Sequence, residues 1–300
     1  EFRRVLFRSK SGLCFPDQSG DKVMAVSSTT TTKEREHQEK KVSVDFFHID
    51  MIPDAIDKMK WPVAAKLMRH WFDIKPSFTY TAQSKKSAQD ADPTILPESQ
   101  INCDIIKMSW AIQNEQVKNG ISELSRIWKS EKGIKRLKFQ LGKKGSLVEE
   151  GIALSYSENI KELDANAQVN ILIIGSKFDT VNEWYGAMGN STLKVCIRGK
   201  TSKSGSENIF TVDKLGCYLK DTYDFVDEGK TPEPLGIWSK NRILDKTESA
   251  LYMSTYLSGV WGVLARDFTG FVLVFNADFR KWQAKHNTGG DFIVLSDVLW

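Results

Sequence analysis

The apolar residues of this chain change their spacing part-way along it, and that change limits what the chain can fold into. Val63, Leu67, Met68 and Trp71 recur every three or four residues, with Lys66, Arg69 and His70 on other faces. That is the spacing of a helix with one buried stripe. Further on the period falls to two. Leu193, Val195 and Ile197 alternate with Lys194, Cys196 and Arg198, as in a strand with one face on a core. Helices first and strands later specify an α+β architecture.

The remaining segments fill in this plan. A short helix can start at Asp50 or Pro53, and Pro62 suits the first turn of the next, which Pro76 ends. Residues 81–99 are polar, contain Pro93 and Pro97, and read as a long loop. Ile106, Met108 and Trp110 alternate, which predicts a strand over 104–112. Residues 121–141 read as two helices or one broken at Gly133, and 143–168 carry no clear period. Residues 171–174 are expected to form a buried strand. Residues 199–208 are a turn-rich link to a returning strand or strand pair through Phe210, Val212, Leu215, Cys217 and Leu219. Residues 252–261 suit helix or strand. Residues 271–275 are a strand, Asn276 or Asp278 caps a helix running to about His286, Gly289-Gly290 closes it, and 292–295 is a last strand.

Residues 45–298 are thus expected to be a single domain with a helical part over 45–142 and a β-rich part over 169–298. Residues 1–44 read as a disordered tail. Glu1–Ser9 resembles translated adapter sequence, so 1–23 is expected to be non-native. The stop at Trp300, directly after a strand, suggests truncation.

Composition narrows the function. A net charge of +4 over 300 residues, with no basic stripe interleaved with aromatics, argues against nucleic acid. No apolar run approaches a transmembrane length. Apart from Cys14, the cysteines are Cys103, Cys196 and Cys217, whose odd count and wide spacing suit neither a disulfide framework nor a zinc site. A reducing compartment fits them.

Chemistry-bearing residues gather in two places. Asp221, Tyr223 and Asp224 stand at the end of the returning strand, where rigid scaffolds present reactive groups. Positions 221 and 224 point to opposite faces of a flat strand and converge only if the strand ends or bulges between them. Converging carboxylates can hold Mg²⁺ against a phosphate or divide acid and base roles. The plainer alternative is a turn in which they accept backbone N–H groups while the aromatics pack. The second place is Arg280, Lys285, His286 and the Gly289-Gly290-Asp291 turn, where glycine amides and nearby cations can meet an anion. The plainer alternative there is a helix end followed by a strand.

The run from Gly189 to Gly199, the returning strand 210–220, and then Asp221, Tyr223 and Asp224 resemble the catalytic domain of the colicin M family, which hydrolyses the pyrophosphoryl linkage of a lipid-linked cell-wall precursor. The resemblance implies a mainly antiparallel sheet or open half-barrel with the helical part packed on it. It also implies a Mg²⁺-dependent phosphodiesterase or pyrophosphohydrolase. Asp221 and Asp224 would bind Mg²⁺ or activate water, Tyr223 would orient the phosphate, and Arg242 or Arg280 would meet its charge. Val226 stands where that family has asparagine, and Lys230-Thr231 where it has His-Arg. Over most of 45–298, segments such as WYGAMGNSTLKV, YLKDTYDF and NADFRKWQAKHNTGGDFIVLSDV resemble an uncharacterised bacterial family often encoded beside type VI secretion genes. This implies a role in antagonism between bacteria. The protein would be cytoplasmic in its producer or delivered to the periplasm of a target. Its partners would be secretion-apparatus, effector or immunity proteins, and the alternative to a hydrolase is a non-catalytic adaptor, chaperone or immunity-type binder.

Overall fold

The computed structural model describes residues 47–143, 151–176, 179–227, 229, 232 and 234–300; the expected tail lies outside them. Helices come first. Ile52–Lys58 (α1) and Pro62–Asp73 (α2) each carry proline in the first turn, and α2 buries Leu67, Met68 and Trp71. Ala82–Asp90 (α3) is a helix where the sequence predicts a loop. Ser84 N–H donates to Thr81 Oγ1 at 3.0 Å and Thr81 N–H donates to Ser84 Oγ at 2.8 Å, and these reciprocal caps start it. It buries only Lys85 and Ala88, so it has no apolar stripe to read. Ile101–Asn102 (β1) is followed by Met108–Ala111 (α4), one helical turn in place of the expected strand. Met108 N–H donates to Asp297 Oδ1 at 2.6 Å, and Ile106, Met108 and Ala111 are all buried. A single turn is too short to declare its period, and its lead-in imitates alternation. Glu115–Ile127 (α5) and Glu131–Lys143 (α6) are two separate helices. They part at 128–130 rather than at Gly133, which lies inside α6 close under the Trp128 carbonyl.

Ala153–Leu154 (β2) and Ile160–Ala167 (α7) occupy the stretch without clear period. Gln168–Ile174 (β3), Glu183–Ala187 (α8), Ser191–Ser204 (β4) and Glu207–Tyr223 (β5) follow. β4 and β5 form one long hairpin with Leu193 opposite Leu219 and Val195 opposite Cys217. Past a bulge at Arg198/Gly199 the ladder runs on to Ser204 and Glu207, through residues expected to be a link. Their side chains are mostly polar and exposed, so backbone pairing continues without apolar alternation. Pro234–Trp238 (β6), Lys246–Leu257 (α9), Trp261–Asp267 (α10), Val272–Phe275 (β7), Asn276–His286 (α11) and Phe292–Leu295 (β8) complete the chain. Asp278 Oδ2 accepts Phe275 N–H at 2.9 Å at the start of α11. Asn287, at φ 52°, takes the left-handed position at its end.

The architecture is α+β. The mixed six-stranded sheet has the order β1-β8-β5-β4-β2, with β3 also on β4, and curls into a half-barrel. β1 and β8 are parallel, and the other pairs antiparallel. β6 and β7 make a separate two-stranded sheet with α9 and α10 beside it. The main core lies between one sheet face and α1, α2, α5 and α11. At its centre Trp71 meets Phe225 edge-on at 4.8 Å, and Phe225 stacks on Phe279 at 3.7 Å. α7 covers the other face. There Asp164 Oδ1 accepts Lys194 Nζ at 2.6 Å and Tyr218 Oη at 2.6 Å, and Oδ2 accepts Lys220 Nζ at 2.7 Å. Burial pushes the Asp164 carboxyl up, and the two lysines more than reverse this, leaving it below its usual value. At the open edge, Asn170 Oδ1 accepts Ile171 N–H at 2.9 Å, while Asn170 Nδ2 donates to the Ile127 carbonyl at 3.0 Å. Cys103, Cys196 and Cys217 are free thiols.

Candidate functional site

The end of β5 is placed by β8, with Asp221 opposite Val294 and Tyr223 opposite Phe292. Asp221 is half-buried. Its Oδ1 accepts Thr222 N–H at 2.8 Å and lies 3.5 Å from Gln89 Nε2 on α3. Burial pushes its carboxyl up to about 7, with the Asp224 charge adding to this and Lys85 opposing it. Tyr223 is buried. Its ring stacks on Phe292 at 5.4 Å and its hydroxyl meets Met68 Sδ at 3.5 Å. Beyond the strand, Asp224 is fully buried (0% exposed). Its Oδ1 accepts Val226 N–H at 3.0 Å, and its Oδ2 lies 3.4 Å from Lys85 Nζ. The strand does end between the two aspartates, and each of them accepts a backbone N–H.

The second cluster is joined to the first. Arg280 Nε–H donates to the Phe225 carbonyl at 3.1 Å. The two Nη groups of Arg280 grip both Asp291 oxygens, at 3.0 and 2.6 Å. Asp291 is fully buried and also accepts Trp71 Nε1–H at 3.0 Å and Tyr80 N–H at 2.9 Å. Gly289 N–H donates to the Ile74 carbonyl at 2.9 Å and Gly290 N–H to that of Trp71 at 2.8 Å. The glycine amides that an anion would need are therefore engaged by α2 and the residue after it. A Cβ on Gly289 would sit 2.7 Å from the Trp71 ring, and one on Gly290 2.3 Å from Ile74, so the close approach requires glycine at both. Lys285 and His286 are exposed, with His286 Nδ1 3.0 Å from the Trp282 carbonyl. Arg242 is held elsewhere, on Glu248 at 2.6 and 2.7 Å at the start of α9.

The model of the family of unknown function DUF6402 matches residues 47–300. The chain belongs to the DUF6402 family. No curated protein and no solved structure matches it.

The DUF6402 site does not suit Mg²⁺. Among the described residues no group of three or more His, Cys, Asp and Glu is placed to hold a metal ion. The Lys85 ammonium already stands at Asp224, where a second cation would be repelled, and Asp224 is sealed from the water shell that Mg²⁺ keeps. Lys230-Thr231 lies outside the described residues.

Lys85 and Gln89 belong to this site and are missed when 81–99 is read as a loop, and Tyr80, just before it, carries no signal of its own. Burial, then the charges of Asp291 and Asp224, push the Tyr80 phenol well up. The signal in the sequence is Thr81-Ala82-Gln83-Ser84, a helix start that puts Lys85 and Gln89 on one face four residues apart.

Proposed function

We propose that this DUF6402 protein acts by binding, as an adaptor or immunity-type partner of a secreted effector in antagonism between bacteria. The setting rests on the sequence resemblance to secretion-associated proteins. The observation that carries the choice of binding over hydrolysis is the state of the two carboxylates. Asp221 and Asp224 both accept backbone N–H groups, and Asp224 is sealed beside Lys85. A carboxylate that activates water must reach water, and a phosphate needs donors left open to it. The test is expression of the full chain in the bacterial periplasm, alongside capture of the products of neighbouring genes by the tagged chain. Unimpaired growth and a stoichiometric complex with a neighbouring product are expected. Growth arrest abolished by Asp224→Ala would overturn the proposal.

One observation favours a second reading, a phosphoester hydrolase acting on a lipid-linked precursor. Asp221 is half-buried with its carboxyl raised to about 7, a value suited to proton transfer at neutral pH. In that case growth arrest would be lost in Asp221→Asn.

A further inference from the structure

The outer face of α6 is a patch of one charge. The helix carries Lys132, Lys135, Arg136, Lys138 and Lys143, and its one acid is Glu131, at the first position. Among the described residues none of these five cations has an ion pair. Lys143 Nζ donates to a carbonyl, that of Ala165 at 3.1 Å. Elsewhere exposed cations meet acids, as Arg69 meets Asp54 at 2.7 Å and Arg198 meets Glu158 at 2.7 Å. Phe139, 52% exposed, stands in the middle of the basic face. Lys135, Arg136 and Lys143 are its neighbours one helical turn before and after. The Arg136 guanidinium and the Lys143 ammonium lie 5.0 and 5.2 Å from its ring centre. The apolar stripe of the helix, with Leu137 and Leu141, is on the opposite side and is buried in the main core.

Charge says what meets this face. A row of unpaired cations calls for a surface dense in negative charge, and like charge bars a second copy of the same helix. The sheet behind adds to the field, because Lys194 and Lys220 share the one charge of Asp164. Burial pushes the Lys194 ammonium down, and the charges of Lys220 and Arg136 add to this. The cations stand on long stems along a convex helix, free to follow headgroups that move within a layer. A folded acidic partner is met instead through fixed pairs, and a ring at the centre of the contact would lie on carboxylates. At a bilayer the same ring enters the boundary between headgroups and acyl chains while the ammonium groups stay at the level of the phosphates. We propose that α6 is the contact of this protein with an anionic phospholipid surface, its lysines and arginine on the headgroups and Phe139 set between them.

Co-sedimentation of the full chain with lipid vesicles tests this. The chain should bind vesicles of phosphatidylcholine containing about one-third phosphatidylserine, leave vesicles of phosphatidylcholine alone, and be released by added salt. Lys135→Glu with Lys138→Glu reverses two charges of the exposed face and should weaken binding by about tenfold or more. Lys66→Glu with Lys281→Glu makes the same change of net charge on the exposed faces of α2 and α11 and should leave binding near native. Phe139→Ala keeps every charge and should weaken binding by about threefold or more, while Phe139→Trp should retain it. Circular dichroism and the melting profile of each variant report that the fold is kept. A native chain that does not bind the anionic vesicles would overturn the proposal, as would equal losses from the two charge-reversed pairs. Native binding by Phe139→Ala would overturn it too. So would tighter binding to poly-L-glutamate than to vesicles at equal charge concentration, which would point to an acidic protein in place of a membrane.

Discussion

Asp221 and Asp224 sit three residues apart and meet different fates. Asp224 turns inward to a lysine and a backbone amide. Asp221 stays at the sheet margin with its proton held more tightly than usual by burial. A carboxyl raised to about 7 in the folded chain, against about 3.9 unfolded, favours folding while protonated. Its contribution is fully present below about pH 4 and is lost as the pH rises through 7. Asp221→Asn should therefore leave stability unchanged at pH 4 and raise it above pH 7, by on the order of 2 kcal/mol after allowance for partial screening. Urea unfolding across that range measures it, and an equal effect at both ends would refute the assignment. The position of these residues at a strand exit is legible in the alternation that precedes them. Their burial is not, because Met68, Trp71, Lys85 and Phe279, which cover the segment from α2, α3 and α11, are distant in sequence and give no local signal.

Among the elements, those with a buried stripe or an alternating face could be read from the chain: α2, the inner halves of β4 and β5, β7 and β8. Those held by polar contacts could not. α3 starts on two reciprocal hydroxyl caps, α4 is a single turn begun at one aspartate, and the outer half of the β4–β5 hairpin continues by backbone pairing with few apolar side chains. The turn between α11 and β8 depends on the space beside α2, which is why its glycines serve packing. Gly290→Ala drives a Cβ into Ile74 and should cost about 1–3 kcal/mol. Gly142→Ala, in α6 with open space around it, should instead stabilise by about 0.5–1 kcal/mol. Thermal unfolding of the two variants side by side checks the contrast in sign.

The molecule as a whole is a sheet with a different layer on each face, and the α7 layer is fastened by charge. Asp164 is the shared counter-ion of Lys194 on β4 and Lys220 on β5. Asp164→Ala would leave the buried Lys220 ammonium and the half-buried Lys194 ammonium without their shared counter-ion and should cost about 3 kcal/mol, measured as a shift of the urea midpoint. Substituting all three residues by apolar ones of similar size should recover most of that loss. At the far border of the sheet, β3 pairs among the described residues with β4 alone, and Ile171 and Ile173 are exposed along it. A row of free amides beside isoleucines is a template on which foreign strands can nucleate. Asn170 stands guard there: its carbonyl occupies the Ile171 amide, and its own amide ties the strand to the last turn of α5. One small side chain thus withholds an amide of that margin from any incoming strand and pins the bulged end of β3 to the helix beside it.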